Sequence, residues 1–275
     1  MNLIHAIFLG IIQGLTEFIP VSSTAHLLIG QKLLRLPADD TMFSFLVLVQ
    51  IGTIVSLFIY FWNDLISIIK DTLKNLGGLR DFKSLPVNAK MGWYIIIATI
   101  QALLVGYLLK DVVEALFRLP LLEAAIRLFS AAILLTLAEW LTKKDRQFES
   151  MTWLDALVVG LFQIIAVFPG ASRSGSTISG GLFRGFDRPS AARFAFLMSV
   201  PVMLAAGAYE MLDVVRMPGL AEFLPALVVG FIAAGFVGLL AVRWLLGYLA
   251  DNSLYAFSVY CAIVGALSLT LHFLW

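Results

Sequence analysis

The chain alternates long apolar runs with short polar breaks, on a length scale set by a bilayer. Six runs, Phe43 to Trp62, Trp93 to Leu109, Leu121 to Leu141, about Ala191 to Leu212, Leu224 to Leu246 and Leu254 to Trp275, each approach the ~20 residues a helix needs to cross hydrocarbon. Two more regions are apolar but interrupted: Leu3 to Leu34 breaks at Pro20, and Trp153 to about Phe186 breaks at Pro169-Gly170. Their arms, ~13–17 residues each, are short for a crossing. The pattern predicts two helical hairpins that enter the membrane and leave on the same side. Non-helical backbone at that depth is tolerated only when buried in protein or lining a wet cavity. The expected fold class is therefore an all-α polytopic membrane protein, with six transmembrane helices and two re-entrant helical hairpins.

The two broken regions are imperfect copies. Gly10-Ile11-Ile12-Gln13, then Phe18-Ile19-Pro20-Val21-Ser22-Ser23-Thr24-Ala25-His26, is matched by Gly160-Leu161-Phe162-Gln163, then Phe168-Pro169-Gly170-Ala171-Ser172-Arg173-Ser174-Gly175. The likeness continues from Phe43-Ser44-Phe45-Leu46 to Phe194-Ala195-Phe196-Leu197. Repeat 1 covers about 1–142 and repeat 2 about 153–275 of a single membrane domain. Each half holds one hairpin and three spans. An odd number of crossings inverts the second half, so the hairpins enter from opposite sides and their tips meet near the midplane, as in transporter folds built from inverted repeats. Basic residues orient the chain: Lys70, Lys74, Arg80, Lys83 and Lys90 in one segment and Lys143, Lys144 and Arg146 in another belong to the cytoplasmic side. The Lys110 to Pro120 turn and both termini are then outside. The segment Asn63 to Lys90 reads as an interfacial helix followed by a turn around Gly77-Gly78.

Composition agrees: 60% of residues are hydrophobic and 13% charged, with mean hydropathy +0.94, against about 25% charged in a soluble domain. A net charge of +1 argues against a nucleic-acid partner. The single cysteine, Cys261, lies in an apolar run and reads as a small buried hydrophobe. The N-terminus lacks a basic region and a small-residue cleavage site, so a removable signal peptide is not expected.

The chemistry concentrates at the two breaks. Gln13 and Glu17 share a helix face, and a carboxylate inside a membrane segment costs about 2.5–3.5 kcal/mol on insertion scales, so it needs a partner, a cavity or a proton. Ser22 or Ser23 caps the following arm, and a helix N-terminus rich in hydroxyls also binds anions. His26 falls in that arm's first turn. In the second copy, Gly170, Ser172, Arg173 and Ser174 combine close backbone approach, hydroxyls and a planar guanidinium fork suited to phosphate. Arg173 stands where the first copy has Thr24, and Gly175 where it has His26. Elsewhere the charges have plainer roles. Arg184, Arg188 and Arg193 read as cytoplasmic positive residues, Glu123 and Arg127 as a local i,i+4 ion pair, Glu139 as interfacial, and Asp155 as a carboxylate at a helix N-terminus. The tips together hold a carboxylate, an imidazole, hydroxyls and a guanidinium at one depth, a set that fits phosphate chemistry on a lipid-borne substrate.

In these residues the chain resembles the undecaprenyl pyrophosphate phosphatase family, the bacitracin-resistance phosphatases of bacterial inner membranes. The likeness rests on Gln13-Gly14-Leu15-Thr16-Glu17 with its continuation to His26, and on Pro169 to Gly175, and it extends over essentially the whole length. It implies hydrolysis of undecaprenyl diphosphate to the monophosphate carrier used in cell-wall synthesis, at a site open to the outer face of the plasma membrane. It also implies dependence on a divalent cation (Mg2+ or Ca2+), and it leaves room for a homodimer. Carried over by position, Glu17, His26 and Arg173 form the essential trio and Ser23 is the nucleophile, with Ser22, Thr24, Gly170, Ser172 and Ser174 around the phosphates. Gln13 and Glu17 are the residues that would face a metal; the family has Glu or Gln at the first of these, so Gln13 could ligate only through its carbonyl. Either Glu17 or His26 could activate Ser23, and direct attack by water is the close variant. A flippase of the polyprenyl phosphate is the alternative class of function.

Overall fold

The computed structural model describes residues 1–37, 39–108, 120–166, 172–215 and 219–274. Among them are eleven α-helices and no strand: α1 (Leu3–Phe18), α2 (Ser23–Leu33), α3 (Asp40–Tyr60), α4 (Trp62–Lys74), α5 (Val87–Leu108), α6 (Pro120–Leu141), α7 (Trp153–Ile165), α8 (Arg173–Phe183), α9 (Arg188–Val214), α10 (Leu220–Asp251) and α11 (Tyr255–Leu274). Six of these, α3, α5, α6, α9, α10 and α11, are long and apolar enough to cross a membrane, while α1 and α7 are shorter apolar helices. All six expected spans are present. The fifth run extends furthest beyond its expected bounds, because α10 continues through Tyr248 to Asp251. The segment after α3 forms the amphipathic α4, which buries Leu65, Ile68 and Thr72, followed by a 3-10 turn over Leu76–Ser84. The Lys110 turn and the Pro169-Gly170 break lie outside the described residues.

The first hairpin follows from local sequence. Asn2 caps α1 by accepting from the His5 N–H at 2.8 Å. The helix ends at Phe18 because Ile19 precedes a proline, which disfavours the helical region; Ile19 is extended, at φ −60° and ψ 130°. Ser22 then caps α2, accepting from the Ala25 N–H at 3.4 Å, and Ser172 caps α8 in the same way at 3.2 Å.

Packing interleaves the two halves. The first hairpin's α1 lies mainly on α10, and the second hairpin's α7 mainly on α5; α3 packs on both α9 and α10, and α6 on α11. Close approach needs small residues. A Cβ on Gly10 would run into the Gly230 carbonyl of α10, and one on Gly160 would lie 2.9 Å from the Ala98 Cα of α5. The shared apolar core takes Phe18, Val21 and Ala25 from the first hairpin, Ile178 and Leu182 from the second, Leu128 and Leu135 from α6, and Phe194–Leu197 from α9. α6 also touches both α2 and α8. That placement carries its side chains to the hairpin tips.

The charges at the base of the second hairpin are paired rather than merely solvated. Fully buried Asp155 closes a capping box with Thr152. It also accepts from Arg146 at 2.7 Å and from Arg184 at 2.6 Å. Burial would raise its carboxyl, but hydrogen bonds from Arg146, Thr152 and Arg184 outweigh that and hold it at about 2. Arg188 pairs with Glu139, and Arg193 with Asp64 at 2.9 Å.

Candidate active site

The start of α8 meets the turn between α1 and α2. Glu17, on the last turn of α1, is buried, and its carboxylate is met from three directions. Oε1 takes the Arg173 guanidinium from the other hairpin, while Oε2 accepts the Ser23 hydroxyl at 2.7 Å and the Gln13 amide at 2.5 Å. The four-residue spacing of Gln13 and Glu17 produces the last contact, and the Pro20 turn folds Ser23 back onto the end of α1. A cavity of about 140 Å3 opens beside this cluster. It is lined by Glu17, Ser22, Ser23 and Thr24 from the first hairpin, Ala166, Ser172, Arg173 and Ser174 from the second, and Gln50 and Arg127 from spans. A larger cavity, about 480 Å3, lies elsewhere, between the start of α4 and the start of α9 around Asp64 and Arg193. It lacks a hydroxyl held on a carboxylate.

The tips differ in backbone conformation. Ser22 sits at φ +67° and ψ 92°, a left-handed region costly for a residue with a Cβ, whereas Ser172 caps its helix at an ordinary φ of −77°. Ser174 donates from the second tip to the Ile19 carbonyl at 3.4 Å, tying the two together. Both cap serines and both hairpin glutamines stand 150 positions apart. That register sets Arg173 opposite Ser23 and Ser176 opposite His26, one position away from the pairing suggested by the motifs alone. Gly170 lies outside the described residues.

His26 is placed differently from the other candidates. Its Nδ1 lies 2.9 Å from the Ser22 carbonyl oxygen, which can only accept, so Nδ1 carries the proton. In the neutral ring Nε2 then accepts from the Tyr260 hydroxyl, 2.8 Å away, and the two rings stack at 7°. The imidazole does not line the cavity, and the Ser23 hydroxyl is directed at Glu17. His26 instead holds the carbonyl of the strained Ser22.

The sequence reading missed Gln50 and Arg127 as cavity residues and Tyr260 as the partner of His26. Polar side chains within otherwise apolar spans were the available signal. Gln13 and Glu17 are an unpromising cation site in this arrangement. Both carboxylate oxygens already accept hydrogen bonds, one of them from a guanidinium, and only the buried Gln13 Oε1 has no hydrogen-bond partner among the described residues. Nor do the described residues contain any cluster of three His, Cys, Asp or Glu able to hold a metal.

The profile of the family described as bacitracin resistance protein BacA matches residues 6–267. The chain belongs to the BacA family. Among similar proteins, the undecaprenyl-diphosphatase of Alkaliphilus metalliredigens (strain QYMF) is 40% identical over 271 residues, covering 97% of this chain and 98% of that protein. That of Chloroherpeton thalassium is 39% identical, covering 98% and 97%, and that of Mycobacterium marinum 39%, covering 97% and 93%. With its six long apolar helices, this BacA-family chain is a multi-pass membrane protein.

Proposed function

We propose that this chain hydrolyses undecaprenyl diphosphate to undecaprenyl phosphate and inorganic phosphate, with the hairpin tips as its active site. The observation that carries the reading is the Ser23 hydroxyl donating to Glu17 inside a cavity that also holds Arg173. A hydroxyl bonded to a carboxylate is an activated nucleophile, and a guanidinium beside it suits a phosphoryl oxygen.

Before substrate binds, Arg173 neutralises Glu17. The terminal phosphate of the diphosphate competes for the same guanidinium. As Arg173 turns to the phosphate, Glu17 loses its counter-charge and becomes a better base. Ser23 Oγ then attacks the terminal phosphorus and its proton passes to Glu17. The bond from that phosphorus to the bridging oxygen breaks, and the lipid monophosphate leaves. Water attacks the phosphoserine in turn, releasing phosphate and restoring the serine. The cap N–H groups of α2 and α8 and the hydroxyls of Ser22, Thr24, Ser172 and Ser174 steady the phosphoryl oxygens. His26 acts as a positioning residue through Ser22. A divalent cation would add positive charge against the diphosphate, and Gln13 and Glu17, already engaged in hydrogen bonds, do not fit as its ligands in this arrangement.

In this proposal the two hairpins are re-entrant and the halves form an inverted repeat; the exchanged packing of α1 on α10 and α7 on α5 supports it. The site opens to the outer face of the bacterial plasma membrane, with both termini outside, and the product re-enters cell-wall synthesis. That same exchanged packing also favours a second reading, movement of the lipid phosphate across the bilayer, which requires no nucleophile. Phosphate release by the purified protein in detergent separates the two, because detergent abolishes sidedness and permits hydrolysis. Release of phosphate supports the phosphatase; its absence, with lipid movement retained in vesicles, overturns it.

A further inference from the structure

The cavity contains a second arginine that the scheme above leaves unused. We infer that Arg127 is a second phosphate-binding cation, holding the phosphate that stays on the lipid and so favouring a diphosphate over a monophosphate; this rests on the proposed phosphatase function.

Arg127 comes from α6, the span that touches the second arms of both hairpins. It lines the same cavity as Glu17, Ser23 and Arg173, yet is only 4% exposed. Its Nε and Nη2 both reach a single oxygen of Glu123, Oε1, at 3.0 and 2.9 Å. Glu123 is buried too, and its other oxygen has no hydrogen-bond partner among the described residues.

A surface i,i+4 pair contributes about 0.2–0.5 kcal/mol to a helix, but this pair is not on a surface. Two charges withdrawn from water inside a spanning helix lose several kcal/mol of hydration each, and an apolar pair of similar volume would often serve stability as well or better. The pair stands at the wall of a phosphate-sized cavity, where a ligand can use its charge. A functional role accounts for both partners: Arg127 supplies the cation, and Glu123 keeps it charged and ordered until an anion arrives. The charge count agrees. Without substrate, Arg173 and Arg127 are matched by Glu17 and Glu123. A diphosphate brings two adjacent phosphoryl groups, and one guanidinium serves only one of them. With Arg173 beside the nucleophile, Arg127 is left for the other phosphate, where negative charge accumulates as the bridging bond breaks. Cation placement on a leaving phosphate is worth most in that transition state.

The test uses the full-length protein purified in detergent, comparing wild type, Arg127→Gln and the double variant Arg127→Gln with Glu123→Gln. Phosphate release from undecaprenyl diphosphate is followed together with inhibition by undecaprenyl phosphate and by inorganic pyrophosphate. Arg127→Gln should lower kcat/KM about 100-fold and weaken inhibition by both anions. The double variant, which removes the charge pair as a unit, should melt at or above the wild-type temperature yet remain as impaired, so the proposal stays testable if Arg127→Gln alone misfolds. Wild-type turnover in the double variant would show the pair to be structural and overturn the inference. If wild type itself releases no phosphate, the phosphatase reading fails; pyrophosphate binding to wild type and to the double variant, measured by calorimetry, then decides the site separately, and equal affinities overturn it.

Discussion

Asp155 and Glu17 are both buried carboxylates that receive arginines, and they differ in what else reaches them. Asp155 takes Arg146, Arg184 and a capping threonine, and its local structure is closed by those contacts. Glu17 takes one arginine from a different hairpin, an amide from its own helix and a serine hydroxyl, and a cavity opens beside it. Asp155 is held by groups that fasten the base of one hairpin. Glu17 is held by groups that, in the proposed mechanism, an incoming anion recruits. A displaceable partner, a transferable proton and space for a ligand are what set the Glu17 cluster apart from the closed ion pairs at Asp155.

The largest expected effect is at Glu17. Glu17→Gln should lower kcat by about 10³-fold or more with the melting temperature within a few degrees of wild type; activity near normal would remove Glu17 as the base. Ser23→Ala should cost at least about 10²-fold in kcat, and near-normal turnover in a phosphate-release assay would leave direct water attack as the surviving route. Arg173→Lys keeps the charge but loses the planar fork, so kcat/KM should fall about 10²-fold. Wild-type kinetics in that variant would show that a point charge is enough.

Asp155→Asn should behave in the opposite way. It breaks a buried network and should destabilise the fold by about 3 kcal/mol while leaving kcat of the folded fraction close to wild type. A specific loss of kcat without loss of stability would erase the contrast drawn between the two carboxylates. The sign of its pH dependence is fixed by the carboxyl held at about 2. Its stabilising contribution is present above the ordinary carboxylate pKa, about 3.9, and is lost as pH falls through the folded value. Thermal melts should therefore show this contribution steady near neutrality and fading only in strong acid, and it should be missing from Asp155→Asn. The smallest effect is expected at Tyr260. Tyr260→Phe removes the hydroxyl that His26 accepts, and turnover should fall only about 2- to 10-fold. A loss as large as that of Glu17→Gln would place His26 in the chemistry itself.

Much of this was legible along the chain because membrane spans advertise themselves through length and hydropathy. Pro20 and the Ser22-Ser23 pair marked a helix end and a cap, and the serines after Gly170 another helix start, all local effects of backbone conformation and hydrogen bonding. The amphipathic α4 was legible as a helix through its mixed-charge segment. The partners of charged residues were less so: Arg184, Arg188 and Arg193 read as cytoplasmic charges, yet each holds a carboxylate from another part of the chain. The surroundings of His26 were also hidden, since its closeness in sequence to Ser23 suggested contact between the two, while α2 directs the ring towards Tyr260, 234 positions away.

By itself, the sequence determined the six spans, the two interrupted helices and the concentration of hydroxyls, Glu17 and Arg173 at their breaks, because each depends on periodicity, proline sterics or capping within a few residues. Only the tertiary structure decided that Ser23 faces Glu17 rather than His26, that Arg173 is Glu17's counter-ion and that Arg127 reaches the same cavity. Those outcomes depend on the rotation and depth of helices packed against one another, which local sequence does not specify.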